Sequence, residues 1–150
     1  MTAGKHKKIV AILLILTLCF IWGNSLMPAT VSGAFSEWIK NILNVFAGSV
    51  GGDGLSGDGV LRKIAHASEF AVLGMELTYL LWDKLKAHFG TLVLCGLGTA
   101  FVDETIQLFS AGRAGMIQDV WIDCGGFATG VLILVAIKTL RSSTRKAKER

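Results

Sequence analysis

Several things are scarce in this 150-residue chain, and each scarcity removes a class of protein. Charged residues make up only 17%, against about 25% in an ordinary soluble domain. With 52% hydrophobic residues and a mean hydropathy of +0.57, the apolar runs are too long and too many for a small soluble core. Proline occurs once, as Pro28, so almost nothing breaks those runs. The three cysteines, Cys19, Cys95 and Cys124, are odd in number and scattered through apolar stretches. That excludes a disulfide framework or a zinc site and leaves small apolar packing residues as their reading. No internal repeat is visible. A Gly-rich stretch at 48–59 carries Asp53 and Asp58. It lacks the spacing and the distal Glu of a calcium loop and reads as a linker.

What is present is a series of four apolar stretches, at about 9–27, 64–82, 89–109 and 117–139. Each approaches the roughly 20 residues that a helix needs to cross a hydrocarbon core. The first follows Lys5, Lys7 and Lys8 and so has a signal-peptide-like flank, but it is long for such a segment and reads as a retained span. The fold class expected is an all-α membrane protein, one domain over 1–150, built as a four-helix transmembrane bundle. Eleven of the 15 Lys and Arg residues lie in the amino end, the link after the second span and the carboxyl end. The positive-inside rule then places both termini in the cytoplasm, in a multi-pass cell-membrane protein. The basic ends read as anchors to anionic lipid rather than as a nucleic-acid surface. Residues 34–47 place Phe35, Trp38, Ile39, Ile42, Leu43 and Phe46 three and four apart, the pattern of a short amphipathic helix lying in the outer interface.

Charges inside the apolar stretches are the informative residues. A charged group within hydrocarbon needs a protein partner or a water cavity, so it marks a functional site by default. Here these are His66, Glu69, Asp103, Glu104, Asp119 and Asp123. Arg62, His66, Glu69, Leu73 and Glu76 fall on one face of a helix, as do Asp103 with Gln107 and Asp119 with Asp123. At a rise of about 1.5 Å per residue, the acids of three separate spans lie roughly 6–10 Å below the outer ends of their helices. The short turn at 110–116 carries Arg113, the expected counter-charge, whose planar fork suits a carboxylate or a phosphate. Arg62 and Lys63 add positive charge at the rim. GxxxG spacing at Gly126 and Gly130, with Gly96 and Gly98 in the third span, reads as close helix packing.

The run Arg62-Lys63-Ile64-Ala65-His66-Ala67-Ser68-Glu69-Phe70 with Leu73-Gly74 resembles the first motif of the VanZ-like membrane proteins. Asp103-Glu104-Thr105-Ile106-Gln107-Leu108-Phe109, Gly112-Arg113, Asp119-Val120 and Asp123-Cys124-Gly125-Gly126 resemble the second. Asn24-Ser25-Leu26 fits the family's opening segment. Phe70, Met116 and Asp123 depart from the residues common there, which are Tyr, Ser and Asn. The resemblance implies a small polytopic protein whose founding member is linked to teicoplanin resistance, without supplying a chemistry.

Three uses of the polar residues are open from the sequence. They pair among themselves and hold the helices in register. Or Arg62, Lys63 and Arg113 hold the phosphate of an envelope lipid or lipid-linked cell-wall precursor, with the acids and Gln107 bonding its sugar or peptide groups. Or the chain is an enzyme, with His66, Glu69, Asp103, Glu104, Asp119 and Asp123 as catalytic candidates. They would act as acid/base groups or bind a divalent cation, Mg or Mn in preference to Zn. Cation-coupled transport, extended inward by Glu76, is a weaker fourth use and would call for an oligomer.

Overall fold

The computed structural model describes residues 2–34, 37–38, 58–113 and 115–148. Four long helices account for most of them. We number these α1 (Thr2–Leu26), α2 (Asp58–Leu81), α3 (Phe89–Leu108) and α4 (Ile117–Lys148). A short 3₁₀ turn, Trp82–Lys84, joins α2 to α3, and residues 29–34 are helical beyond Pro28. No strand occurs among the described residues.

The apolar spacing sets the existence of each helix, and the polar ends were where the expected bounds needed correction. α2 begins at Asp58, six residues before the expected start, and α4 runs on to Lys148, so the basic carboxyl segment is helical rather than an extended tail. Among the described residues, three helical stretches are long and apolar enough to cross a membrane: Gly4–Leu26, Phe89–Leu108 and Ile117–Arg145. α2 is long enough but carries Arg62, Lys63, Glu69 and Glu76, which removes it from that set on composition. The interfacial helix expected at 34–47 lies mostly outside the described residues, although Glu37 and Trp38 are helical. The Gly-rich linker expected at 48–59 also lies outside them, apart from Asp58 and Gly59, which open α2.

The bundle is apolar outside and polar inside. Ile12, Ile15, Leu16 and Phe20 of α1, Leu94 and Phe101 of α3, and Trp121 and Leu132 of α4 are all exposed. Such a surface suits hydrocarbon, not water. The buried apolar cluster is small: Ile21, Phe70, Leu73, Leu92, Ala100, Val120 and Phe127. Among the described residues it is outnumbered by buried polar side chains, including Ser25, His66, Asp103, Glu104, Gln107, Asp119 and Asp123.

The most extensive helix contact is α2 on α4, followed by α1 on α2. The reason is the absence of side chains at Gly74, Gly126 and Gly130. A Cβ at Gly126 or Gly130 would run into the carbonyl of Ala67 or Ala71, and one at Gly74 into that of Phe127. The GxxxG reading therefore holds, with α2 as the partner. Gly96 likewise receives the Phe127 ring, whereas Gly98 faces open space and packs nothing. The cysteines divide in the same way. Cys124 packs on the core, whereas Cys19 and Cys95 are exposed, so the reading as small apolar packing residues fits Cys124 but not the other two.

At the end of the bundle away from the acids, Lys7 of α1 pairs with Asp83 at 2.6 Å. That hydrogen bond holds the Asp83 carboxyl below its ordinary range. Lys138 of α4 sits 4.5 Å from the Tyr79 ring centroid and 5.5 Å from that of Trp82. The start of α1, the α2–α3 link and the far part of α4 thus share one end, as the basic-residue pattern requires.

Candidate functional site

α1 reaches the opposite end still helical through Asn24 and Ser25, two polar residues closing an apolar run. The Ser110 hydroxyl, in the α3–α4 turn, donates to the Ser25 carbonyl at 2.7 Å, and the Ala29 amide donates to the Ala111 carbonyl at 3.0 Å. These bonds fasten the end of α1 to the turn that carries Arg113. The turn itself needs Gly112, whose φ is +74°, a conformation that costs an L side chain energy. Its return leg is held by Glu104, whose Oε2 accepts the Met116 amide at 2.8 Å.

Beneath this turn the acids of the separate helices meet. His66 of α2, Asp103 of α3 and Asp123 of α4 each offer a ligand atom, and these atoms lie within 4.8 Å of one another. His66 Nδ1 is 3.7 Å from Asp103 Oδ2. Asp103 is fully buried and tightly held: Ser25 Oγ donates to Oδ1 at 2.7 Å and Gln107 Nε2 to Oδ2 at 2.9 Å. Gln107 Nε2 also reaches Glu104 Oε1 at 3.1 Å. Asp123 is 1% exposed, yet neither of its carboxylate oxygens has a hydrogen-bond partner among the described residues.

The other expected residues take distinct places. Asp119 sits at the rim, 3.6 Å from Lys63 Nζ and 3.9 Å from Arg62 Nη2. Arg113 was expected to neutralise an acid, but the ion pairs of Asp119 go to α2 instead. All three Arg113 side-chain nitrogens are buried without a hydrogen-bond partner among the described residues. Burial, reinforced by the neighbouring Arg62 charge, lowers its pKa from the usual arginine value. It still carries a positive charge. Glu69 turns toward α1, where Asn24 Nδ2 donates to Oε1 at 3.1 Å. Glu76 does the same lower down, accepting from Thr17 Oγ1 at 3.2 Å. The shared face of α2 thus splits, His66 facing α3 and the two glutamates facing α1. Ser68 donates to the Ala65 carbonyl within its own helix.

Two spaces adjoin this constellation. A cavity of about 10 Å³ is lined by Arg62, Lys63, His66, Glu104, Gln107, Asp119 and Asp123. That is room for about one water or one ion, not for a sugar. A lateral groove of about 450 Å³ runs between α1 and α2, lined by Leu13, Leu16, Phe20 and Val72 with Ser68 and Glu69 as its polar edge.

Sequence reasoning did not assign Asn24, Ser25 or Ser110 to the site. The signal was there: two amide- or hydroxyl-bearing residues at the end of an otherwise apolar span, and a Ser opening the turn. Their partners could not be read without the packing.

A family model described as VanZ/LLP1 matches residues 10–138. No curated protein and no solved structure matches the chain.

Proposed function

The chain belongs to the VanZ/LLP1 family, and on that footing we propose that it is a multi-pass membrane protein that binds the anionic head group of an envelope lipid on its extracytoplasmic side. In this reading α2 is the fourth span. Its charges are tolerated because they turn into the bundle and meet partners there, as membrane interiors require. The basic end marked by Lys7, Lys84, Lys86 and Lys138 faces the cytoplasm, and the Arg113 turn faces outward.

The observation that carries the proposal is the Arg113 guanidinium, buried with none of its donors used among the described residues. A buried donor without an acceptor is costly, and a charged one more so. A phosphate oxygen supplies the missing acceptors in bidentate geometry. Arg62 and Lys63 strengthen the local positive field. The small cavity has no room for a head group and is not lined by Arg113, so in this reading the phosphate meets Arg113 outside it. The lipid chain lies in the apolar groove between α1 and α2. A lipid-linked cell-wall precursor has this chemistry, and binding one would fit the link of the family's founding member to teicoplanin resistance.

The test is lipid co-purification. Protein extracted in mild detergent and analysed by mass spectrometry should carry an anionic or polyprenyl-phosphate lipid. Arg113→Ala should lose it and Arg113→Lys should keep part of it. An Arg113→Ala protein that retains the same lipid at the same stoichiometry overturns the reading.

A further inference from the structure

We propose that His66, Asp103 and Asp123 bind one divalent cation of the oxygen-preferring class, Mn²⁺ or Mg²⁺. The proposal uses different atoms from the Arg113 site and does not require that a lipid bind there.

The strongest reason is Asp123. A carboxylate 1% exposed, with both oxygens unpartnered among the described residues, is an arrangement that proteins avoid unless something supplies the missing contacts. At least one of its oxygens faces the cluster, because it lies within 4.8 Å of ligand atoms from both His66 and Asp103. No donor from the chain fills that gap among the described residues. Ligand atoms about 2.1 Å from an octahedral ion stand roughly 3–4 Å from one another. The 3.7 Å between His66 Nδ1 and Asp103 Oδ2 falls in that range, and the Asp123 oxygen lies within 4.8 Å of both partners.

Size and charge point the same way. The adjoining cavity, walled by His66 and Asp123, is about 10 Å³, room for about one water, so six ligands are reached with that water, His66 and two oxygens from each of Asp103 and Asp123. The neighbourhood holds five carboxylates, Glu69, Asp103, Glu104, Asp119 and Asp123, against Arg62, Lys63 and Arg113. With all of them ionised the excess is two negative charges, which one divalent ion balances.

Asp103 already has the supporting shell of a ligand. Ser25 Oγ and Gln107 Nε2 each donate to one of its oxygens, fixing its orientation and leaving a lone pair on each for a metal. Such outer-shell bonds are the usual companions of a metal-binding carboxylate. One imidazole with two carboxylates favours Mn²⁺ or Mg²⁺ over zinc, whose structural sites are closed by four ligands rich in sulfur and nitrogen.

The test uses the purified full-length chain in detergent, stripped of metal and titrated with Mn²⁺ while the electron paramagnetic resonance signal of the free ion is followed. Expected is loss of that signal with one ion bound per chain, reversed by excess Mg²⁺. Asp123→Asn and His66→Gln should each weaken binding by more than the about 10–100-fold typical of an outer-shell change. Asp83→Asn, at the far end of the bundle, should bind as the unaltered chain does. Arg113→Ala should also keep the ion, so loss of lipid and loss of metal are separable results. Failure of the unaltered chain to bind Mn²⁺ overturns the proposal whether or not the variants fold. So does equal binding by Asp123→Asn, and a site that takes Zn²⁺ but not Mn²⁺ overturns the assignment of ion class.

Discussion

Ser25 Oγ donates a 2.7 Å hydrogen bond to Asp103 Oδ1, and both side chains are fully buried. One short contact therefore joins the end of the most apolar helix to the most deeply buried acid. It explains why an otherwise lipid-facing span ends in Asn24-Ser25. Polar contacts between membrane helices average only about 0.6 kcal/mol, yet removing one partner of a buried pair exposes the larger cost of leaving the other unmet.

Ser25→Ala should therefore destabilise the protein by about 1–3 kcal/mol. Thermal or denaturant unfolding in detergent reads this directly. Ser25→Thr, which keeps the hydroxyl, should recover part of the loss.

Glu104 offers a test of geometry against charge. Its Oε2 accepts the Met116 amide at 2.8 Å, a task that an amide oxygen performs as well as a carboxylate. Glu104→Gln should keep the α3–α4 turn but give up the bond from Gln107 Nε2, and so lose part of the stability that Glu104→Ala loses. Glu104→Ala should cost about 1–2 kcal/mol by removing the acceptor of this part-buried amide and of Gln107 Nε2. Equal losses in the two variants, measured by the same unfolding assay, would show that the charge rather than the hydrogen bond matters.

The α2–α4 seam should tolerate no side chain. Gly130→Val places a branched group against the Ala71 carbonyl and should separate the two helices, seen as loss of a monodisperse peak on size exclusion. Gly98→Ala meets nothing within 4 Å and should be neutral or gain up to about 1 kcal/mol from helix propensity.

Topology is checked by tagging. An epitope placed at 48–59 should be accessible from outside intact cells, and one at the carboxyl terminus only after permeabilisation. Cytosolic exposure of the first would show that α2 does not cross the bilayer.

The Lys7–Asp83 pair carries a pH signature. Asp83 is held below its ordinary range by Lys7, so its contribution is present above the ordinary carboxylate pKa and is lost as pH falls through the depressed value. Because the pair is exposed, salt should weaken it as well. Asp83→Asn should remove the part of the acid and salt dependence of unfolding that this end of the bundle contributes.

The sequence by itself determined the helices, because runs of about 20 apolar residues with one proline leave a chain few other forms in lipid. It also determined that the acids of three helices share a level, since the helical rise converts residue number into depth. Those two facts were enough to name His66, Asp103 and Asp123 together. They could not assign partners. Arg62, His66, Glu69 and Glu76 share a face on sequence spacing, yet the packing of α1 takes the two glutamates, α3 takes His66 and Asp119 takes Arg62. Which neighbour a side chain meets depends on the rotation of each helix about its axis. That rotation is set by the glycine seam between α2 and α4, not by hydropathy. Only the tertiary structure left Arg113 and Asp123 buried without hydrogen-bond partners among the described residues, because an unmet group is a property of everything around it.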